Sequence, residues 1–193
     1  MRKLILQMHM SIDGFVCDPN NKQPFMNFDG GKEVQDYMDL SWAPMDLLLM
    51  GSGMSTEFND YWLMKSQTAG DPLENWGKLF TNVPKRVFSK TLNANDPRTS
   101  KWQNVSFTDA DLVQEVNQLK QQSGGEIWCF GGASFATSLV NNNLPDEYRL
   151  IIHPNAIGKG KSIFSGVENK KALKLVEGKV FGNGATVLKY VPK

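Results

Sequence analysis

Dense apolar runs recur along the chain, and each one breaks at glycine or at a polar turn. Leu4 to Met10 is almost continuously apolar, as a strand buried on both faces would be. It breaks at Ser11-Ile12-Asp13-Gly14, where Asp-Gly marks a turn. Asp46 to Met50 is a second buried strand. It runs into Gly51-Ser52-Gly53-Met54-Ser55-Thr56, which reads as a glycine turn and a helix start. Ile127 to Phe130 repeats the theme and stops at Gly131-Gly132. From Ala133 onward, Phe135, Ala136, Leu139 and Val140 fall three or four apart, on one helical face. Strand, glycine turn and helix thus recur, which predicts α/β layering with parallel strands.

The remaining segments fill in this frame. Gly31 to Trp42 has helical spacing through Val34, Tyr37 and Met38, and Pro44 stops it. Tyr61 to Gly70 shows no clear period. Pro72 to Phe80 reads as a short helix and Pro84 to Phe88 as a third strand. Asn93 to Lys101 reads as a polar loop, and Val105 to Phe107 as a fourth strand. A helix through Leu112, Val113, Val116 and Leu119 follows, with Thr108 or Asp109 expected at its cap. Glu147 to His153 is rich in β-branched residues and reads as a strand. Ala172 to Phe181 and Ala185 to Val191 read as two strands joined by Gly182-Asn183-Gly184, a hairpin signal. The expected sheet is mixed, with about eight strands and an antiparallel end. Residues 1–193 are expected to form one domain.

Charge and composition narrow the function. Lys and Arg total 21 against 20 Asp and Glu, net +1. That balance gives no electrostatic case for nucleic acid or an anionic membrane surface. No apolar stretch is long enough to span a bilayer. Two distant cysteines, Cys17 and Cys129, and two histidines, His9 and His153, form no metal-ligand spacing. A reduced, cytoplasmic domain without a structural metal is expected.

The stretch Gly124 to Leu139 carries the most specific chemistry. A helix N-terminus after a glycine turn offers free backbone N–H groups to a phosphate. Glycines let a diphosphate approach the backbone, and Ser134 can add a hydroxyl donor. A Gly-Gly pair alone serves equally as a tight packing turn, and this is not the G-x-G-x-x-G fingerprint. Cys129 reads as small apolar filling, His9 as a core or crevice residue, and His153 as a hydrogen-bonded strand end.

Seven segments, in order, carry a family resemblance. They are Met10-Ser11-Ile12-Asp13-Gly14-Phe15-Val16, Asp46 to Gly51, Pro84 to Leu92, Phe130-Gly131-Gly132-Ala133-Ser134-Phe135, Leu144 to Pro154, Gly158-Lys159-Gly160-Lys161-Ser162-Ile163-Phe164, and Gly184 to Tyr190. Together they resemble the dihydrofolate reductase-like superfamily, in the branch related to the C-terminal reductase domain of the riboflavin-biosynthesis protein RibD. The resemblance implies a three-layer α/β/α sandwich and hydride transfer from NADPH to a small, heterocyclic or carbonyl-type substrate. It puts the diphosphate on Gly131, Gly132, Ala133, Ser134 and Phe135. It puts the adenosine half and its 2′-phosphate on Gly51, Ser52, Gly53, Met54 and Ser55, with Ser89, Lys90 and Thr91. The nicotinamide would lie against Met10, Ser11, Ile12 and the Gly131-Gly132 turn.

Asp13 is then the carboxylate nearest the pocket mouth, able to bind a substrate N–H or pass a proton through water. Its alternative is a turn residue bonding backbone. The acid that dihydrofolate reductases carry early in the first helix has Asp29, Glu33 and Asp36 as its nearest counterparts. Relatives carry Gly-Arg-x-Thr after the second strand, and this chain lacks that arginine. A guanidinium fork suits a 2′-phosphate better than a point charge does. NADH therefore stands beside NADPH as a cofactor. Two alternatives to an unassigned reductase remain: the 5-amino-6-(5-phosphoribosylamino)uracil reductase of riboflavin biosynthesis, and a non-catalytic nucleotide-binding protein on the same fold. The resemblance also implies a homodimer, paired through late strands.

Overall fold

The computed structural model describes residues 1–26 and 31–193. Asp29, one of the three acids considered above, lies outside them. In chain order the elements are β1 (Leu4–Ser11), α1 (Gly31–Trp42), β2 (Met45–Gly51), α2 (Ser52–Gln67), α3 (Glu74–Asn82), β3 (Lys85–Phe88), β4 (Val105–Thr108), α4 (Leu112–Gln121), β5 (Glu126–Cys129), α5 (Ala133–Asn141), β6 (Glu147–His153), β7 (Leu173–Val180) and β8 (Thr186–Pro192). They build one eight-stranded sheet in the order β4-β3-β2-β5-β1-β6-β8-β7. Strands β4 through β6 are parallel, and β8 and β7 close the sheet in antiparallel fashion.

The layering follows from strand alternation. Leu4, Leu6, Met8 and Met10 point to one face and pack with Val116 of α4 and Ala136, Leu139 and Val140 of α5. Ile5 points to the other face, among Met38 and Trp42 of α1, Trp62 of α2, and Trp76 and Phe80 of α3. Truncating any of these buried aliphatic side chains to Ala would cost about 2–5 kcal/mol, as cavity and transfer terms add. This is a dihydrofolate reductase-like α/β/α sandwich with a mixed sheet and an antiparallel C-terminal end, as expected.

Three local readings change. The run after β2 is not a turn: α2 starts at Ser52, Gly53 is helical, and the helix continues through the stretch that shows no period. Its buried positions explain the missing signal, because Ser55 and Asn59 are buried there alongside Trp62. Asn59 satisfies itself by donating to the Ser55 carbonyl at 2.8 Å. The cap of α4 is Asp111 rather than Thr108 or Asp109, and its carboxylate accepts from Val113 N and Gln114 N. The polar loop Asn93–Lys101 contains a 3-10 turn at Pro97–Thr99, capped by Asp96.

One glycine sets how tightly α2 and α3 cross. A Cβ on Gly77 would sit 2.4 Å from the Ser66 amide nitrogen, so the helices meet backbone to backbone. At the amino-terminal edge of the sheet, Arg149 is held by Glu147 and by the Ser41 carbonyl, with its guanidinium 4.4 Å from the Trp128 ring centroid. That contact pins the end of α1 to the sheet.

Candidate active site

The carboxyl ends of β3, β2, β5 and β1 lie along one edge of the sheet. Strand β2 leads into α2 on one face, while its neighbour β5 leads into α5 on the other. Such a divergence leaves a crevice outside the strand ends. Gly131 turns the chain there with φ +117°, a backbone state favouring glycine. A Cβ on it would lie 3.3 Å from the Met8 methyl and 3.6 Å from the Met54 sulfur. Gly132 is the N-cap of α5, and no side chain caps that terminus among the described residues. The N–H groups of the first turn of α5 are therefore open to an anion.

Two further segments meet this terminus. Gly51, at the end of β2, approaches Phe135 so closely that a Cβ would lie 3.0 Å from the Phe135 Cβ. The Phe88 ring, at the end of β3, lies 5.2 Å from the Phe135 ring, centroid to centroid. Phe135 thus joins segments 51–55 and 131–135 to the end of β3 that leads into 89–91.

Their side chains are not equally available. Ser52, Gly53, Lys90, Thr91 and Ser134 are exposed, and Ala133 and Met54 are half-buried. Ser55 is fully buried, and its hydroxyl donates to the Ser52 carbonyl at 2.9 Å, which spends it inside α2. Ser89 Oγ accepts from Thr91 N and Leu92 N, so it shapes its own turn. Met10 is buried in the core, whereas Ile12 just beyond it is 66 % exposed.

Asp13 is exposed, and its carboxylate bridges two loops. It accepts from Gly158 N at 2.7 Å and from Ile157 N at 3.1 Å. The Ser11 hydroxyl, followed by these amides, holds the carboxyl below the usual carboxylate range. Ile12 N donates to Asn155 O, and Cys17 pairs with Lys161 in an isolated antiparallel bridge. The loop after β1 is thereby strapped to the loop after β6. The two lysines of that glycine loop differ: Lys161 Nζ donates to Asn21 Oδ1, and Lys159 is exposed.

On the α1 face, sequence reasoning missed a narrow slot. Val34, Met38 and Trp42 of α1 form one wall, with Trp76 of α3 beside them, and His9, Ile151, His153, Phe181, Asn183 and Ala185 complete it. His9 Nδ1 and His153 Nε2 are 2.8 Å apart, and the rings stack with centroids at 5.1 Å. Burial, and then the neighbouring His153, pushes His9 down to about 3; burial also lowers His153. Both imidazoles are thus neutral at pH 7. The only signal in the sequence was position: each histidine stands near the carboxyl end of a largely buried strand.

The fold and edge crevice define a dihydrofolate reductase-like domain with an open helix terminus suited to a diphosphate. The RibD C-terminal domain family model matches residues 2–187, and the chain belongs to that family. The uncharacterized protein YyaP of Bacillus subtilis is 31% identical over 189 residues, covering 98% of this chain and 94% of that one. Two solved structures show the same fold at lower identity. The chain resembles the diaminohydroxyphosphoribosylaminopyrimidine deaminase/5-amino-6-(5-phosphoribosylamino)uracil reductase of Thermotoga maritima with TM-score 0.65 and 14% identity, covering 100% of this chain and 57% of that one. It resembles the dihydrofolate reductase of Enterococcus faecalis, complexed with NADP(H), with TM-score 0.59 and 12% identity, covering 99% of this chain and 96% of that one. No helix among the described residues is long and apolar enough to cross a membrane.

Proposed function

We propose that the protein is an NAD(P)H-dependent reductase that transfers hydride to a small heterocyclic substrate. The observation that carries this reading is the meeting of segments 51–55 and 131–135 with the end of β3, just before 89–91, at the uncapped N-terminus of α5. The residues fit a dinucleotide: the cradle at Gly131 has no room for a side chain without displacement, and backbone N–H groups face the diphosphate position. When bound, the cofactor supplies the hydride. The chain's own residues hold it and keep water away. Gly131, Gly132, Ala133, Ser134 and Phe135 carry the diphosphate. Gly51, Ser52, Gly53, Met54, Ser89, Lys90 and Thr91 border the adenosine half, and Met10 and Ile12 the nicotinamide end. Ser55 supports this wall from inside α2.

Among the predicted 2′-phosphate residues, Lys90 is the single cation, so discrimination between NADPH and NADH is modest. Asp13 holds the loop over the nicotinamide end as a positioning residue, its oxygens engaged on the backbone of the facing loop. The reading includes a homodimer. Strand β7 ends the sheet and exposes Leu175, Val176 and Val180, an edge that a second copy would cover.

Titration with NADPH and with NADH, followed by nicotinamide fluorescence, tests the reading. Saturable binding that Gly132→Asp abolishes is expected, because a carboxylate at the helix terminus repels the diphosphate. Failure of both cofactors to bind removes the reductase reading and leaves a non-catalytic member of the fold.

A further inference from the structure

A groove far larger than the histidine slot lies at the amino-terminal edge of the sheet, between α4 and the starts of β2, β3 and β4. The slot has a volume of about 20 Å³, room for about one water. The groove has about 440 Å³, enough for a small molecule. It sits at the far end of β2 and β3 from Gly51 and Ser89, and the dinucleotide reading makes no use of it.

Two ion pairs build its walls. Arg2 donates from Nε to the Gly125 carbonyl at 2.8 Å and from Nη2 to Asp46. Asp46 spends its other oxygen on the Gly125 amide. Arg86 Nε donates to Glu115 Oε1 at 2.8 Å, and its Nη2 lies 2.7 Å from the same oxygen. Three charged atoms are left over. Arg2 Nη1, Arg86 Nη1 and Glu115 Oε2 have no protein partner among the described residues. None of them is sealed in the interior, because the one buried side-chain polar atom without a partner among those residues is Thr81 Oγ1. Yet the side chains of Arg2 and Glu115 are 7 % and 11 % exposed, so what remains open of them opens onto the groove they line.

Charge balance selects what these atoms can hold. The two arginines and two carboxylates sum to zero. A bare anion would bring a net charge and face Glu115 Oε2. A zwitterion brings none: its carboxylate meets the open guanidinium nitrogens and its ammonium meets Glu115 Oε2, both as charge-assisted hydrogen bonds. Leu47, Pro84 and Leu119 add an apolar lining for an aliphatic group.

We propose that the groove between α4 and the amino ends of β2–β4 binds a small zwitterion of the α-amino acid type with an aliphatic side chain. Arg2 and Arg86 take its carboxylate and Glu115 its ammonium. The site does not rest on the reductase reading.

The chain has four arginines, so their side-chain Nε–H signals carry an internal reference. Arg2 and Arg86 lie in the groove, Arg98 is paired with Asp96 in an exposed loop, and Arg149 lies over Trp128 on the α1 face. The probes are L-leucine, L-leucinamide, which lacks the carboxylate, and 4-methylpentanoate, which lacks the ammonium. Leucine is expected to shift the Arg2 and Arg86 signals saturably and leave Arg98 and Arg149 in place. The two truncated probes should bind at least about tenfold more weakly. Glu115→Gln should close the gap between leucine and 4-methylpentanoate, and Leu40→Ala, on the exposed side of α1, should leave it. If Glu115→Gln loses its circular dichroism signal, Ser106→Trp serves instead: it fills the groove from an exposed position on β4 and should abolish the shifts. Unmoved groove signals, equal shifts at all four arginines, or equal or tighter binding of either truncated probe overturn the proposal. So does a gap that persists in folded Glu115→Gln, or a shift that survives in folded Ser106→Trp.

Discussion

The turn at Gly131-Gly132 and the slot around His9 and His153 lie on opposite faces of the sheet and are built differently. The turn is made of backbone. Its donors are main-chain N–H groups, and its side chains matter mostly by being absent. The slot is made of side chains from six elements or their flanks, and its two histidines come from strands paired across the β1–β6 seam, where Ser11 is opposite His153 and His9 opposite Ile151. A backbone-built site writes a local signature, because strand, glycine and helix follow each other in the chain. A side-chain site across a seam writes none, because neither histidine has a meaningful sequence neighbour.

Substitutions should therefore act in opposite ways on the two regions. The largest effect is expected from Gly131→Val, which forces a β-branched residue into φ +117° and against Met8. Dinucleotide affinity should fall by about 100-fold or more, with stability lower by about 1–3 kcal/mol. Unchanged cofactor titration with this variant would break the comparison.

Next is the pH response of the slot. A histidine whose native pKa lies below its unfolded value of 6.5 binds fewer protons folded than unfolded. The stability it contributes is full above about pH 6.5 and is lost as pH falls toward about 3. Between pH 7 and pH 4 the wild-type Tm should fall by a few degrees more than that of His9→Phe/His153→Phe. Parallel pH curves for the two proteins would refute the neutral pair.

Lys90→Ala sharpens the backbone side. It should weaken NADPH by about fivefold and leave NADH unchanged, as expected for an exposed charge pair. A loss shared by both cofactors would place Lys90 away from the 2′-phosphate. The smallest effect is expected from Asp13→Asn, which keeps an oxygen for the Gly158 amide. Cofactor affinity should change less than about threefold and the turnover pH profile should not move. A shifted profile would make Asp13 a proton carrier.

Most strands were legible because their apolar runs are dense and end at glycine or polar turns. Glu147–His153 appears in the structure with the bounds read from the sequence. Helix α2 was legible only at its start, since buried Ser55 and Asn59 erase the apolar stripe that would mark its inner face. The cap at Asp111 was missed by two residues because Thr108, Asp109 and Asp111 are all competent caps. The burial of β1 on both faces was legible from its dense apolar content, but its neighbours β5 and β6 were not, because pairing partners leave no trace in a strand's own sequence. The Gly131-Gly132 turn was legible for the reason that made β5 legible. The slot was not, because it exists only once β1 and β6 are side by side.

That central position of β1 also sets an order of events during synthesis. Leu4 pairs with Ile127 on one side, and Ile5 with Glu147 on the other. β1, made before either partner, therefore waits for most of these residues before either edge is satisfied, on the order of ten seconds at ordinary translation rates. Its run of Leu4, Ile5, Leu6, Met8 and Met10 stays uncovered throughout. The nascent protein should be a chaperone client through residues 1–146, and truncations ending before β6 should aggregate when those ending after β8 do not.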